Sequence, residues 1–280
     1  MVHDVRLAVS AGFCFGVERA VKMAVSALEE MGEPVYTLGP IIHNPQEVQR
    51  LQMMGIRMAL ALEEIPEGTV VIRSHGAPKG VVEEAEKRGL KVVDATCPLV
   101  LRLKERVKEL AQDGYQVVIV GESDHPEVMA ILSYAPDSCI VVRGPESADP
   151  ESLNKTVGLV AQTTQSLENL QAVASFCIFY CREVRTYNTI CQATHRRGAE
   201  ALELASQVHV MIVVGGKNSA NTTRLAQAVS QGGTTTYHIE SAAELGDLDI
   251  LPGVPVGVTA GASTPGWVID EVVSALKKMD

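Results

Sequence analysis

The stretch KVVDATCPLVLRLKERVKELAQDGYQVVIVG, residues 91–121, decides the fold class. It opens with an apolar, β-branched run (91–95), turns through Cys97-Pro98, continues as an amphipathic stretch (99–114) and re-enters a β-like run (115–121). Short β-branched runs read as strands and a 3.6-residue apolar period reads as a helix, so this is strand, helix, strand. Strands apolar on both faces and joined through helices belong to largely parallel sheets. The alternation extends outward in both directions. Further strand-like runs are VRLAV (5–9), TVVIRS (69–74), SCIVV (138–142), TVGLVA (156–161), EVRTY (183–187), VHVMIVVG (208–215) and VPVGVT (254–259). Helical stretches include the segment after Cys191 and VERAVKMAVSALEEMG (17–32), in which Val17, Val21, Val25 and Leu28 share a face and Gly32 supplies the stop. The expected class is α/β.

Cys97 has two counterparts, Cys14 in SAGFCFG and Cys191 in YNTICQA; each follows a β-like run and opens a helical pattern. The three lie 83 and 94 residues apart, with 89 residues after the last. That spacing predicts three comparable lobes, 15–97, 98–191 and 192–280, with residues 1–14 joining the third. Two further series recur at about the same interval in polar turns after strand-like runs. One is His43, His125 and Asn221; the other is His75, Thr163 and Ser263. Ligands of open α/β sheets bind beyond the carboxyl ends of the strands. Lobes packed about a pseudo-threefold axis therefore bring these nine loops to one pocket. A thiol at a helix N-terminus favours the thiolate that metals need. Gly12 and Gly16 flank Cys14 and admit a bulky ligand, and Pro98 suits a first helical turn. Three thiolates can hold an iron–sulfur cluster and leave one metal position open to a ligand.

The composition is that of an ordinary globular protein of 280 residues, 46% hydrophobic and 21% charged. A net charge of −10 and 4% aromatic content argue against a nucleic-acid partner. No apolar run approaches the ~18 residues of a membrane span, and no signal peptide is read at the start, so a cytoplasmic location is expected. In that reducing compartment the six cysteines are metal ligands or core residues rather than a disulfide framework.

Cys139 lies in a strand-like run and Cys177 and Cys181 in the apolar SFCIFYC, which places them as core or incidental thiols. Imidazoles at three matched turns (His43, His75, His125) suit a shared anion site; His3, His195, His209 and His238 gain no such support. Glu127, two residues after His125, is either an acidic first-turn residue behind a Ser123 or Asp124 cap or a proton donor. Ser219, Asn221 and Ser263 sit in the small-residue loops GGKNSAN and TAGAST, which can present N–H groups to phosphate. GGKNS is not a P-loop, because Met211 and Asn218 stand where that motif needs glycine and a hydroxyl.

Taken together, AGFCFGV (11–17), GPIIHNP (39–45), RSHGAP (73–78), DATCP (94–98), HPEV (125–128), QTT (162–164), GGKNSAN (215–221) and GVTAGAS (257–263) resemble the 4-hydroxy-3-methylbut-2-enyl diphosphate reductase family over essentially the whole chain. The resemblance implies a trefoil of three α/β lobes around a central [4Fe-4S] cluster, held by Cys14, Cys97 and Cys191 with one iron not ligated by protein. It implies that His43, His75, His125, Ser219, Asn221 and Ser263 bind the diphosphate, that Glu127 supplies protons, and that Thr163 stands near the substrate hydroxyl. The implied reaction is a two-electron, two-proton removal of the allylic hydroxyl that yields isopentenyl and dimethylallyl diphosphate, the last step of the methylerythritol phosphate route to isoprenoids. A ferredoxin or flavodoxin is the implied electron donor. Two departures stand out. Ala220 replaces a common second serine, and Arg196 and Gly198 stand where the family usually has Asn and Gln. Thr194 matches the pattern. The competing readings are a three-cysteine zinc hydrolase acting on a phosphorylated substrate, separable by metal analysis, and an iron–sulfur redox sensor, separable by a diphosphate-binding assay.

Overall fold

The computed structural model describes residues 4–279; His3, given no role by the sequence, lies outside them. The chain begins with β1 (Val5–Leu7) and α1 (Phe15–Met31). It continues through β2 (Val35–Leu38), α2 (Pro45–Met53), β3 (Arg57–Ala59), β4 (Thr69–Ile72), α3 (Val81–Lys87) and β5 (Lys91–Asp94). A second series runs α4 (Pro98–Gln112), β6 (Gln116–Val120), α5 (Pro126–Leu132), β7 (Cys139–Val142), β8 (Thr156–Ala161), α6 (Leu167–Tyr180) and β9 (Glu183–Thr186). The third is α7 (Gln192–Ala205), β10 (Val210–Val214), α8 (Ala220–Gln231), β11 (Thr235–Ile239), β12 (Val256–Ala260) and α9 (Gly266–Leu276).

Three four-stranded sheets result, ordered β3-β2-β4-β5, β7-β6-β8-β9 and β11-β10-β12-β1, and every pairing is parallel. Counted from the first strand of each series, the order is second, first, third, fourth in every case. In the last sheet the fourth place is filled from the other end of the sequence, with Val5 beside Val256 and Leu7 beside Val258. These are the three parallel α/β lobes expected from the spacing. The chain divides into two units. One comprises Met1–Glu18, Ile42–Met54 and Gln192–Asp280 and holds the sheet containing β1; the other comprises Arg19–Ile41 and Gly55–Cys191 and holds the other two sheets.

Alternation along the central strands sorts the core into layers. Val117 and Ile119 of β6 pack with Leu103, Val107 and Leu110 of α4, which recur at i, i+4 and i+7. Val118 and Val120 face the other way, onto Leu170, Val173 and Cys177 of α6. In β10, Val210, Ile212 and Val214 meet Val268, Ile269 and Val272 of α9, while Met211 and Val213 meet Ala201 and Ala205 of α7 and Leu225 and Val229 of α8. Each such side chain contributes about 1.5–3 kcal/mol on burial. Gly158 in β8 admits α4 closely, since a Cβ there would lie 2.6 Å from a Leu110 methyl.

The face assigned to α1 needs correction. The buried stripe is Ala20, Val21, Ala24 and Ala27, while Val17, Val25 and Leu28 are only half-buried along its margin. A hydrophobicity pattern weights the larger side chains, whereas here the small alanines are the most fully covered residues of the helix.

Candidate functional site

The order second, first, third, fourth makes the first and third strands neighbours whose following loops depart in different directions, which opens a crevice at their carboxyl ends. The sequence-selected residues follow these strands. His43, His125 and Asn221 come after β2, β6 and β10; His75, Thr163 and Ser263 come after β4, β8 and β12; Cys97, Cys191 and Cys14 come after β5, β9 and β1. The second strands β3, β7 and β11 carry none of them. Each cysteine stands immediately before a helix: Cys14 before α1, Cys97 before α4 with Pro98 in the first turn, and Cys191 before α7. All three are half-buried, and none of the six cysteines is in a disulfide.

In the two-sheet unit these loops are tied together through backbone groups. The Cys97 N–H donates to the Ser74 carbonyl at 3.0 Å, which fixes Cys97 beside the residue preceding His75. Asp94 accepts from the Thr96 N–H at 2.9 Å and from the Thr96 hydroxyl, and Arg19 Nη1 donates to the Thr96 carbonyl at 3.1 Å. The His75 and His125 rings meet edge to face, 5.6 Å between centroids at 86°. His125 is itself the N-cap of α5; its Nδ1 accepts the Glu127 N–H at 3.1 Å, so Ser123 and Asp124 do not serve as the cap. Accepting at Nδ1 leaves the neutral ring's proton on Nε2.

Glu127 is 1% exposed, with both carboxylate oxygens on one residue. Oε1 accepts the Thr163 N–H and Oε2 the Thr163 hydroxyl, each at 2.7 Å. The Thr163 carbonyl in turn accepts the Cys191 N–H at 2.8 Å. The chain into Cys191 is set by Thr189, whose hydroxyl donates to the Ala161 carbonyl at 2.6 Å and accepts the Ala161 N–H at 2.8 Å. A buried acid, a hydroxyl and a cysteine therefore follow one another through direct bonds.

The other unit ties its own loops. The Cys14 N–H donates to the Ala262 carbonyl at 3.0 Å, and the neighbouring Ser263 hydroxyl donates to the His43 carbonyl at 3.0 Å. Gly216 lies against the same carbonyl: a Cβ there would stand 2.9 Å from the His43 oxygen. Ser219 caps α8, its Oγ accepting the Thr222 N–H at 3.4 Å, and Ala220 is the first residue of that helix. Asn221 is buried, and its Nδ2 has no hydrogen-bond partner among the described residues; the same is true of Nδ2 of Asn44, whose Oδ1 caps α2 through the Glu47 N–H at 2.8 Å. Buried amide donors without acceptors are costly unless a ligand supplies one. Lys217 is turned away to Glu244 at 2.7 Å, and that carboxylate raises its pKa. Its place is structural, consistent with the absence of a P-loop.

Sequence reasoning missed Arg197 and Asn44. Arg197 donates to the Ser10 and Gly12 carbonyls, just ahead of Cys14. Its only signal was a second arginine beside the noted Arg196, and nothing local announces a partner 185 residues away. Thr194 is half-buried in the first turn of α7. Cys139, Cys177 and Cys181 lie in and against the core of the second sheet, and burial pushes the Cys139 and Cys177 thiols up to about 11. Among the described residues no helix is long and apolar enough to cross a membrane.

Three parallel α/β sheets of one topology, each followed at its carboxyl edge by a loop that carries a cysteine, define the class as an α/β protein of three like lobes. The chain belongs to the LytB protein family, whose model matches residues 5–277. It is 53% identical over 278 residues to a 4-hydroxy-3-methylbut-2-enyl diphosphate reductase of Geobacter sulfurreducens, covering 99% of this chain and 98% of that one. To the reductase of the same name from Geotalea uraniireducens it is 50% identical over 275 residues, covering 98% and 97%. A solved structure of (E)-4-hydroxy-3-methyl-but-2-enyl diphosphate reductase, described as the terminal enzyme of the non-mevalonate pathway, matches all of both chains at 46% identity with a TM-score of 0.75. The Plasmodium falciparum E-1-hydroxy-2-methyl-but-2-enyl-4-diphosphate reductase structure matches at 26% identity with a TM-score of 0.89, over 98% of this chain and 88% of that one.

Proposed function

We propose that the chain is a reductase that removes the allylic hydroxyl of 4-hydroxy-3-methylbut-2-enyl diphosphate, consuming two electrons and two protons and releasing water with isopentenyl or dimethylallyl diphosphate. The observation that carries this reading is the buried Glu127–Thr163 pair, with Cys191 held on the Thr163 carbonyl. The relatives of the same name, about half identical over nearly the full length, support it.

Cys14, Cys97 and Cys191 would hold a [4Fe-4S] cluster. The donor set fits: three half-buried cysteines outside disulfides, each opening a helix, and no fourth, since Cys139, Cys177 and Cys181 belong to the second sheet. Three thiolates leave one iron without a protein ligand. When bound, such a cluster supplies single electrons and a Lewis-acidic position for the allylic oxygen.

The chain's own residues do the rest. His43, His75, His125, Ser219, Asn221 and Ser263 take the diphosphate, and Asn221 offers a buried amide donor that folding leaves unmatched. Binding at this remote end orients the reacting carbons. With Nδ1 used by the helix cap, His125 presents Nε2 to the anion. Thr163 hands its hydroxyl proton to the leaving oxygen and is reprotonated by Glu127. Glu127, whose oxygens both accept from Thr163 in the resting protein, takes up a proton from solvent before each transfer, and its second proton ends on carbon. A ferredoxin or flavodoxin in the cytoplasm supplies the electrons. No observation favours the zinc-hydrolase or sensor alternatives.

The test is anaerobic. The purified protein is reduced with a viologen dye, and dye oxidation is followed on adding 4-hydroxy-3-methylbut-2-enyl diphosphate. Rapid substrate-dependent oxidation that Cys97→Ser abolishes is expected. No oxidation by a protein carrying full iron and labile sulfide would refute the assignment.

A further inference from the structure

The chain just ahead of Cys14 is gripped from both sides by one helix. Arg197 of α7 is 3% exposed; its Nε and Nη2 donate to the carbonyls of Ser10 and Gly12 at 3.0 and 2.7 Å. Three residues further along the same helix face, Glu200 accepts the N–H of Val9 and, at 2.9 Å, that of Ser10. A cation thus takes the carbonyls and an anion the amides of residues 9–12, and charge-assisted bonds of this kind are short and strong. Gly12 adopts φ +103°, and a Cβ there would come within 3.2 Å of Ile269 and 3.4 Å of the Thr264 carbonyl. Beyond it, the Cys14 N–H is fixed to the Ala262 carbonyl. A simpler version occurs ahead of Cys97. There Arg19, five residues after Cys14, makes one bond of 3.1 Å to the Thr96 carbonyl. Arg197 stands six residues after Cys191. Two of the helices that begin at cysteines therefore hold the backbone leading into a different cysteine.

Burying a guanidinium is unfavourable unless its donors are matched, and here the loop carbonyls of Ser10 and Gly12 match two of them. The arrangement is therefore better suited to holding a loop in one position than to stabilising the fold in general. We propose that Arg197, supported by Glu200, is the positioning residue of the three-cysteine centre: it fixes residues 9–12 so that the Cys14 thiolate is presented in place before iron and sulfide arrive. Arg19 does the same for Cys97 through a single bond. The proposal rests on the reading of Cys14 and Cys97 as cluster ligands.

The experiment compares anaerobically prepared holoprotein of the wild type with Arg197→Gln, Arg197→Lys, Arg19→Gln and Cys14→Ala. Amide hydrogen exchange of residues 9–14, iron release to a ferrous chelator and the electron paramagnetic resonance spectrum of the reduced cluster are measured. In Arg197→Gln, exchange in residues 9–14 is expected to rise about tenfold while β10 and β12 keep their protection. Iron release should quicken by about tenfold or more, as when groups behind metal ligands are lost, with an altered resonance spectrum. Arg197→Lys, retaining one donor, should recover part of each effect. Unchanged exchange and iron release in folded Arg197→Gln would overturn the proposal, and so would a uniform rise in exchange across the sheet. If Arg197→Gln does not fold, Arg197→Lys and Arg19→Gln decide it: faster iron release with intact sheets supports the proposal, and wild-type release in both refutes it. Wild-type cluster content in Cys14→Ala would instead remove the ligand reading, a failure distinct from that of the clamp.

Discussion

Replacing Glu127 by Gln changes one atom of the carboxyl group and isolates its acid function. Both oxygens of Glu127 are engaged by Thr163, at 2.7 Å to the N–H and 2.7 Å to the hydroxyl. In Glu127→Gln the amide oxygen can keep the N–H bond, and the Thr163 hydroxyl can turn to accept from the new NH2. The number of bonds is preserved while two charge-assisted bonds become neutral, at a cost of about 1–2 kcal/mol. The fold and the cluster site should therefore survive. What is lost is the capacity to take up a proton and pass it on, and a positioned acid–base group contributes about 10²–10⁴ in rate, equivalent to ~3–5.5 kcal/mol of barrier. The viologen assay under substrate saturation should show kcat lower by that factor with KM little changed. Thr163→Val, which removes the hydroxyl, should show a similar loss. Because the pair acts in series, the double variant should be no worse than the poorer single one. Glu127→Gln turnover within about threefold of wild type at equal iron content, or losses that multiply in the double variant, would refute the relay.

Asn221→Ala removes a donor that has no partner among the described residues. Its melting temperature should stay close to wild type while KM rises about 10- to 100-fold, the worth of a hydrogen bond to a charged group; a large fall in stability with unchanged KM would contradict the assignment. Gly216→Ala would place a Cβ 2.6 Å from Asn218 Oδ1 and 2.9 Å from the His43 carbonyl. Calorimetry should register about 1–3 kcal/mol of overpacking, with weaker substrate binding as well. Cys139 and Cys177 should resist iodoacetamide at neutral pH in the folded protein, since burial raises both thiols to about 11. The unfolded chain ionises these thiols near their ordinary 9.0 and the folded chain does not. Their contribution to stability is thus complete below pH 9.0 and declines as pH rises toward 11, which denaturant melts across that range can follow.

All nine apolar runs read from the sequence contain strands, because central parallel strands are continuous β-branched segments. The further strands β2, β3 and β11 are short or polar: VYTL has four residues, RMA has three, and TTYHI is polar and half-buried along most of its length. β3 and β11, at sheet edges, are strands because a neighbour offers a hydrogen-bonding edge, whereas β2 is a buried central strand paired on both sides. The position of each loop residue beyond a strand end was legible for the same reason the strands were. Its contacts were not: the Ser263–His43 bond spans 220 positions and the Arg197–Gly12 bond 185, and no local pattern encodes a partner that distant. The His125 cap was misplaced at Ser123 or Asp124 because those residues cap helices more often, whereas here an imidazole nitrogen reaches the Glu127 N–H.

The pairing of β1 with β12 bears on biosynthesis. Val5 of β1 is synthesised 251 residues before Val256, its partner in β12. The β3-β2-β4-β5 and β7-β6-β8-β9 sheets draw on uninterrupted stretches of sequence and can form while translation continues. The sheet holding β1 must wait, and closing contacts between such distant segments is slow. Cys14 therefore follows an unpaired segment until β12 has been synthesised. The segment that precedes Cys14 is accordingly fixed late, and a chain truncated between residues 191 and 256 should keep two finished sheets while β1 lacks its partner strand.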